Sequence, residues 1–266
     1  MVDVKRLVAW CAAVVWAGCA APQSVLGDGS GPEEGVSSKG AEVSGVSFEE
    51  LVPGVWLHLS HRRVEPWGNV PSYGLVVERE AGALLIDSAW TDAQTAEILA
   101  WSEARLAQPV TEAILTHAHD DKMGGVGMLR DRGVKTYAAA DSNALAAERG
   151  LVPAEHPLRF DADGNVAIGP AIVFDPGPGH TVDNIVVGLP EHDIIFGGCL
   201  IRPAGATDAG NTADADLEHW DRAVDAVASR FEDLQIVVPS HGPPAGREVL
   251  ALTVQLVREA RGEQPR

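Results

Sequence analysis

Four short apolar runs in this chain each end on a residue that can bind a metal ion, and no other feature constrains its fold as tightly. "EAILT" runs into His117, "AIVFD" leads through "PGPG" to His180, "IIFGG" stops at Cys199 and "IVVPS" at His241. Short runs rich in Ile, Val and Leu, bounded by turn residues, read as buried strands. Loops at strand ends are where a rigid scaffold presents reactive groups. Gly and Pro beside three of these four residues let the backbone turn sharply there. The expected fold class is therefore α/β, with strands delivering ligands to one place.

"THAHDDK" adds His119 and Asp121. In extended chain, side chains at i and i+2 point to the same side, so His117 and His119 can face one ion. His180 completes a three-histidine site with an open fourth position. Asp121, Cys199 and His241 offer a carboxylate, a thiolate and an imidazole for a second ion. A thiolate ligand favours zinc over magnesium or calcium, so two Zn2+ per chain are expected. His58, His61, His156, His192 and His219 lack such a context and are read as structural or solvent-facing.

The chain has 266 residues and a formal net charge of −18. That length suits one good-sized domain. The charge argues against nucleic acid as a partner, since a phosphate backbone needs a basic patch. Any site for an anion must rest on local cations. Lys5 and Arg6 precede the apolar stretch 7–18, which ends in "WAGC". Residues 1–19 read as an export signal, too short in its apolar part to span a bilayer. Two processing routes stay open: lipidation of Cys19, giving an outer-membrane anchor, or ordinary cleavage near Ala20 and Ala21. Either places the protein in the periplasm. Past the signal only Cys199 remains, so no intradomain disulfide can form. Residues 20–45, rich in Gly, Ser, Pro and Glu, read as a flexible tether, and 46–266 as the folded domain.

Within that domain 54–60, 73–78 and 82–88 are expected strands. Thr91 and Gln94 form a T-x-x-Q capping box opening a helix through about Leu106. Leu217, Trp220, Val224, Val227 and Phe231 follow a 3-4-3-4 spacing, the signature of an amphipathic helix. A terminal helix is expected over 248–261.

"THAHDDKMGG", "PGPGHTVDNIVV", "FGGCLIR", "GNTADADLEHW" and "SHGPP" occur in the order found in class B metallo-β-lactamases, and the chain resembles their subclass B1, including its acquired carbapenemases. The resemblance covers about 46 to the C-terminus. It implies a four-layer αβ/βα sandwich with a dinuclear zinc site at the edge of two facing sheets. It implies hydrolysis of the β-lactam amide in penicillins, cephalosporins and carbapenems by a zinc-bound hydroxide, without a covalent acyl-enzyme. A monomer is expected. Many two-metal relatives carry His after the Asp and an Asp in place of the Cys. This chain has Lys122 and Cys199 there, as the subclass does.

By the same resemblance, Asp121 orients the nucleophile as well as binding metal. Lys122 acts as a buried cation beside Asp121, its alternative being a solvent-facing lysine. Asp87 is a buried carboxylate supporting the ligands. Arg202 matches the basic group for the substrate carboxylate, with a rim arginine as the alternative. Asn211 matches the residue that contacts the lactam carbonyl, although Asn beside Gly is also a common turn pair. The polar stretch 61–72 matches a mobile hairpin loop over the site, with Trp67 covering apolar parts of the substrate. Its Arg62, Arg63 and Glu65 make it unusually charged. Trp90 and Trp220 are read as core packing. Two other readings remain: a related metallohydrolase acting on a lactone or thioester, and a non-catalytic zinc-binding lipoprotein.

Overall fold

Strand alternation sets the layering in the computed structural model, which describes residues 45–263. The export signal at 1–19 with Cys19, the tether up to residue 44, and 264–266 lie outside the described residues. One sheet has seven strands in chain order: β1 (Ser47–Val52), β2 (Val55–Val64), β3 (Gly68–Val77), β4 (Ala83–Ile86), β5 (Val110–Ile114), β6 (Lys135–Ala138) and β7 (His156–Pro157). It is antiparallel up to β4 and parallel beyond. The second runs β12 (Ile236–Pro239), β11 (Ile194–Gly198), β10 (Val186–Leu189), β9 (Ala171–Phe174) and β8 (Asn165–Ile168), with only β11 and β12 parallel.

Leu75 and Val77 of β3, Leu84 and Ile86 of β4 and Ile114 of β5 point one way. They meet Val173, Val187, Phe196 and Val238 from the second sheet, forming the core between the sheets. The intervening Val76, Leu85 and Ala113 point outward onto Ile98, Leu99, Met123 and Leu129. These come from α1 (Asp92–Trp101), α2 (Asp120–Met123) and α3 (Val126–Asp131). On the far side Val186, Ile195 and Val237 pack on Trp220, Val224 and Val227 of α5 (Trp220–Arg230) and Val249 and Val257 of α6 (Glu248–Ala260). The result is the expected four-layer sandwich. Strands buried on both faces read as unbroken apolar runs. Gly188 lets α5 come close, because a Cβ there would lie 2.4 Å from the Phe231 ring.

Three local expectations change. The stretch 61–72 is a hairpin, as expected, but nearly all of it is strand: β2 and β3 stay paired from Val55↔Val77 out to Val64↔Gly68, and only a tight turn at 65–67 joins them. Thr91 does cap α1, accepting from Gln94 N at 3.2 Å. The Gln94 side chain does not reach back as a capping box requires; its Nε2 donates to His61 O at 2.9 Å, tying α1 to the hairpin. Trp90 is buried, yet it also lines the cavity over the ligand-bearing strand ends instead of serving the core alone. A further helix, α4 (Ala140–Glu148), follows β6.

Candidate metal centre

The two sheets converge at the edge where the ligand-bearing strands end. Backbone bonds cross between them there: Ile185 N to Thr116 O and Tyr73 N to Ser240 O, both 2.9 Å. The loops after β5, β9, β11 and β12 are thereby held together, and all six expected ligands meet. His119 Nδ1 lies 3.1 Å from His117 Nε2 and 3.3 Å from His180 Nε2. The three rings stand edge-on, with centroids 4.7, 5.1 and 5.2 Å apart. Beside them Cys199 Sγ is 3.3 Å from His241 Nε2 and 3.6 Å from Asp121 Oδ2, and the last two atoms are 3.7 Å apart. Tetrahedral zinc with its usual Zn–N and Zn–S bonds places neighbouring ligand atoms about 3.3–3.6 Å apart. The Asp121–Cys199–His241 trio fits that ion, in the histidine trio His119 stands near such spacing from both His117 and His180, and the overlapping groups His117–His119–Asp121 and His117–His180–Cys199 join all six ligands into one centre.

Three of the four imidazoles offer the nitrogen a metal needs because their other nitrogen is engaged. His241 Nδ1 donates to Pro71 O at 2.8 Å. His119 Nε2 meets Asp214 Oδ2 at 2.8 Å. His117 Nδ1 is 3.2 Å from Thr116 Oγ1. Such partners orient metal ligands and fix their tautomers. Burial holds the pKa of His117 and His180 well below the usual histidine range, so both are neutral, the form that binds zinc.

Beneath the ligands lies a buried ionic floor. Lys122 is fully buried, its Nζ 2.8 Å from Ser72 Oγ, 3.1 Å from Asp121 Oδ2 and 3.7 Å from Asp87 Oδ2. Burial alone would discharge it, but Asp121, Cys199 and Asp87 outweigh burial and raise its pKa. Burial likewise works against the charge on Asp121, and Lys122 and His241 overcome it, holding the carboxyl below its ordinary range. Asp87 is pushed up to about 7 by burial, against the pull of Lys122 and Thr116. Its Oδ1 accepts from Thr116 N at 2.8 Å and its Oδ2 from Thr116 Oγ1 at 2.9 Å, so it reaches His117 through Thr116. Asp87 holds φ +62°, a strained value for a residue with a Cβ. His58 Nε2 bonds its carbonyl at 3.1 Å, and burial, then Lys122, lowers the His58 pKa to about 4.

A cavity of about 620 Å³ opens over the centre, lined by His119, Asp121, His180, His241, Arg202, Asn211, Trp67, Trp90 and Arg62, among others. Arg202 is held by Asp208, its Nε donating to the carbonyl at 3.1 Å. Gly210 leaves room for it, since a Cβ there would lie 2.6 Å from the guanidinium. Asn211 Oδ1 accepts from Ala213 N at 3.2 Å, a turn contact, while the residue lines the cavity. Trp67 is 56% exposed at the hairpin tip. Trp220 is buried, donates to Leu200 O at 2.8 Å, and stacks edge-on against His180.

Sequence reasoning missed Asp214, Arg149, Thr116 and Ser72. Asp214 lies in the quoted "GNTADAD" segment, but nothing in the spacing separates it from Asp216, which instead meets His219 at 2.9 Å.

Residues 67–241 match the metallo-beta-lactamase superfamily. The chain is 38% identical over 222 residues to a metallo-beta-lactamase type 2 of Bacillus cereus, covering 82% of this chain and 84% of that one. It is 37% identical over 214 residues to the type 2 enzyme of Bacteroides fragilis, covering 80% and 86%. Among solved structures, the metallo-beta-lactamase FIM-1 from Pseudomonas aeruginosa in its mono-zinc form is 56% identical, with a TM-score of 0.80 over 83% of this chain and 98% of that one. A metallo-beta-lactamase from Erythrobacter litoralis is 43% identical, with a TM-score of 0.79 over 80% and 96%.

Proposed function

The chain belongs to the metallo-beta-lactamase superfamily, and on that premise we propose that it is a zinc-dependent hydrolase of the β-lactam amide in penicillins, cephalosporins and carbapenems. The observation that carries this is the gathering of six donor side chains in overlapping groups, with His119, Asp121, His180 and His241 lining an open cavity. Lys122 and Cys199 support subclass B1 and a second zinc position held by Asp121, Cys199 and His241.

When bound, zinc supplies Lewis acidity and makes water available as a nucleophile near neutral pH. The protein's own groups do the rest. Asp121 presents a charged carboxylate at the junction of the trios, anchored from below by Lys122. Arg202 offers a guanidinium for the carboxylate beside the lactam nitrogen. Asn211 lines the cavity as the candidate contact for a lactam carbonyl, and Trp67 is the candidate cover for the apolar part of the substrate. Among the described residues, no Ser, Thr or Cys side chain lines this cavity, which favours direct attack by water over an acyl-enzyme. We further propose an exported protein acting in the periplasm as a monomer and conferring β-lactam resistance. The sequence of 1–19 supports export, and Cys19 is its candidate lipidation site.

Carbapenem hydrolysis by the purified protein with zinc, then with EDTA, then with zinc restored, tests the reading. Activity lost and recovered is expected, with about two zincs per chain and about one in Cys199→Ser, since one trio loses its thiolate. A folded, zinc-loaded protein without hydrolysis would turn the assignment toward a lactone or thioester.

A further inference from the structure

The outer part of the charged hairpin, from Arg62 to Val70, has one polar hold on the body beside the metal centre, and its placement gives it a task. His61 and Pro71 face each other across β2 and β3. That rung is fixed on both sides: Gln94 Nε2 bonds His61 O, and His241 Nδ1 bonds Pro71 O. Beyond it the ribbon from Arg62 to Val70 projects over the cavity. Arg63 pairs only with Glu65 inside the ribbon. Among the described residues, the single side-chain hydrogen bond from this outer part to the body is Arg62 Nη1 to Asp120 Oδ2, 2.6 Å. The Arg62 guanidinium also lies 5.8 Å from the centre of the Trp90 ring. Asp120 sits between the candidate ligands His119 and Asp121, and opens α2.

We propose that Arg62 is a positioning residue that sets the posture of the hairpin, and with it Trp67, over the metal centre by pairing with Asp120. Both side chains are about half exposed, at 44% and 50%. Such a pair adds little to the stability of a fold. It can still bias a two-position lever hinged at the fixed rung, because a small free-energy difference shifts populations several-fold. It is also open to screening by salt. The bond joins a wall of the cavity to the turn that carries two ligands, which is how wall posture and substrate capture would be linked.

The kinetic half of the test rests on the β-lactamase reading; the structural half does not. In Arg62→Ala, amide hydrogen exchange over 62–70 should quicken several-fold while exchange in β4 and β5 stays as in the unaltered protein. KM for a carbapenem should rise about two- to five-fold, the range an exposed pair can impose, with a much smaller change in kcat. Molar salt should raise KM more in the unaltered protein than in the variant, since the Arg202 hold on the substrate carboxylate is screened in both. Arg62→Lys should restore slow exchange. Unchanged exchange over 62–70 in Arg62→Ala would overturn the proposal whatever the kinetics show. Quickened exchange in a protein that hydrolyses no β-lactam would uphold the tether and sink only the substrate assignment.

Discussion

His119 Nε2 and Asp214 Oδ2 are 2.8 Å apart, and the same carboxylate oxygen is 3.0 Å from Arg149 Nη2. Arg149 also donates to Ala118 O at 2.8 Å, next to His119 in the chain. Asp214 therefore keeps the proton of His119 on Nε2, leaving the Nδ1 lone pair toward His117 and His180. Asp214→Ala should weaken zinc binding about 10- to 100-fold, the usual cost of removing such a partner. Competition with a chromophoric chelator measures it. An unchanged affinity would show that His119 is oriented by its own backbone turn.

Lys122 is a fully buried cation beneath the centre, and its neighbours Asp121 and Asp87 are buried with it. Removing one member of such a group leaves uncompensated charge and costs about 3–5 kcal/mol. Lys122→Met should lower unfolding stability by that order, read by denaturant titration in the presence of EDTA. A loss under about 1 kcal/mol would mean that Asp87 takes up a proton to compensate.

How much of this was legible in the sequence depends on whether a signal was local. Four of the six ligand positions stood out because a strand end and a ligand type coincide there, and His119 and Asp121 because they follow His117 at two-residue spacing. The amphipathic face of α5 was visible for the same reason: Trp220, Val224 and Val227 repeat at helical spacing and face one cluster. The hairpin over the site was expected only by resemblance, and its long strand pairing was not visible, because Arg62, Arg63 and Asn69 belong to a ribbon projecting from the sheet, where polar residues suit both faces. The roles of Gln94, Asp214 and Arg149 depend on partners 33, 95 and 31 positions away, and no local pattern announces such contacts. The residues α2 and α3 are too short to build a full amphipathic period.

Arg202 faces the cavity from a pocket that Gly210 keeps open. A guanidinium–carboxylate contact is worth about 1.5–3 kcal/mol, and it persists from bound substrate into the transition state. Its loss should therefore appear in binding. Arg202→Ala is expected to raise KM for a carbapenem about ten-fold or more with a smaller effect on kcat, and Arg202→Lys should fall between. Steady-state kinetics decide; an unaltered KM would return Arg202 to a rim role held by Asp208.

Far from the centre, Asp221 joins α5 to α6. Its Oδ2 is 2.9 Å from Arg261 Nη2 and 3.0 Å from Arg258 Nε. Burial would raise the carboxyl's pKa, but the hydrogen bonds from Arg261 and Arg258 outweigh burial and lower it from 3.8. The folded protein thus holds fewer protons on Asp221 than the unfolded chain near that pH. This contribution is complete well above pH 3.8 and disappears as pH falls through the lowered folded value. Asp221→Asn should reduce stability at pH 7 and make the decline below about pH 4 shallower than in the unaltered protein. Thermal unfolding of both proteins across pH 2.5–7, in roughly half-unit steps, tests this. Parallel curves over the acid range would mean that the two arginines bind Asp221 no better in the folded state than solvent does.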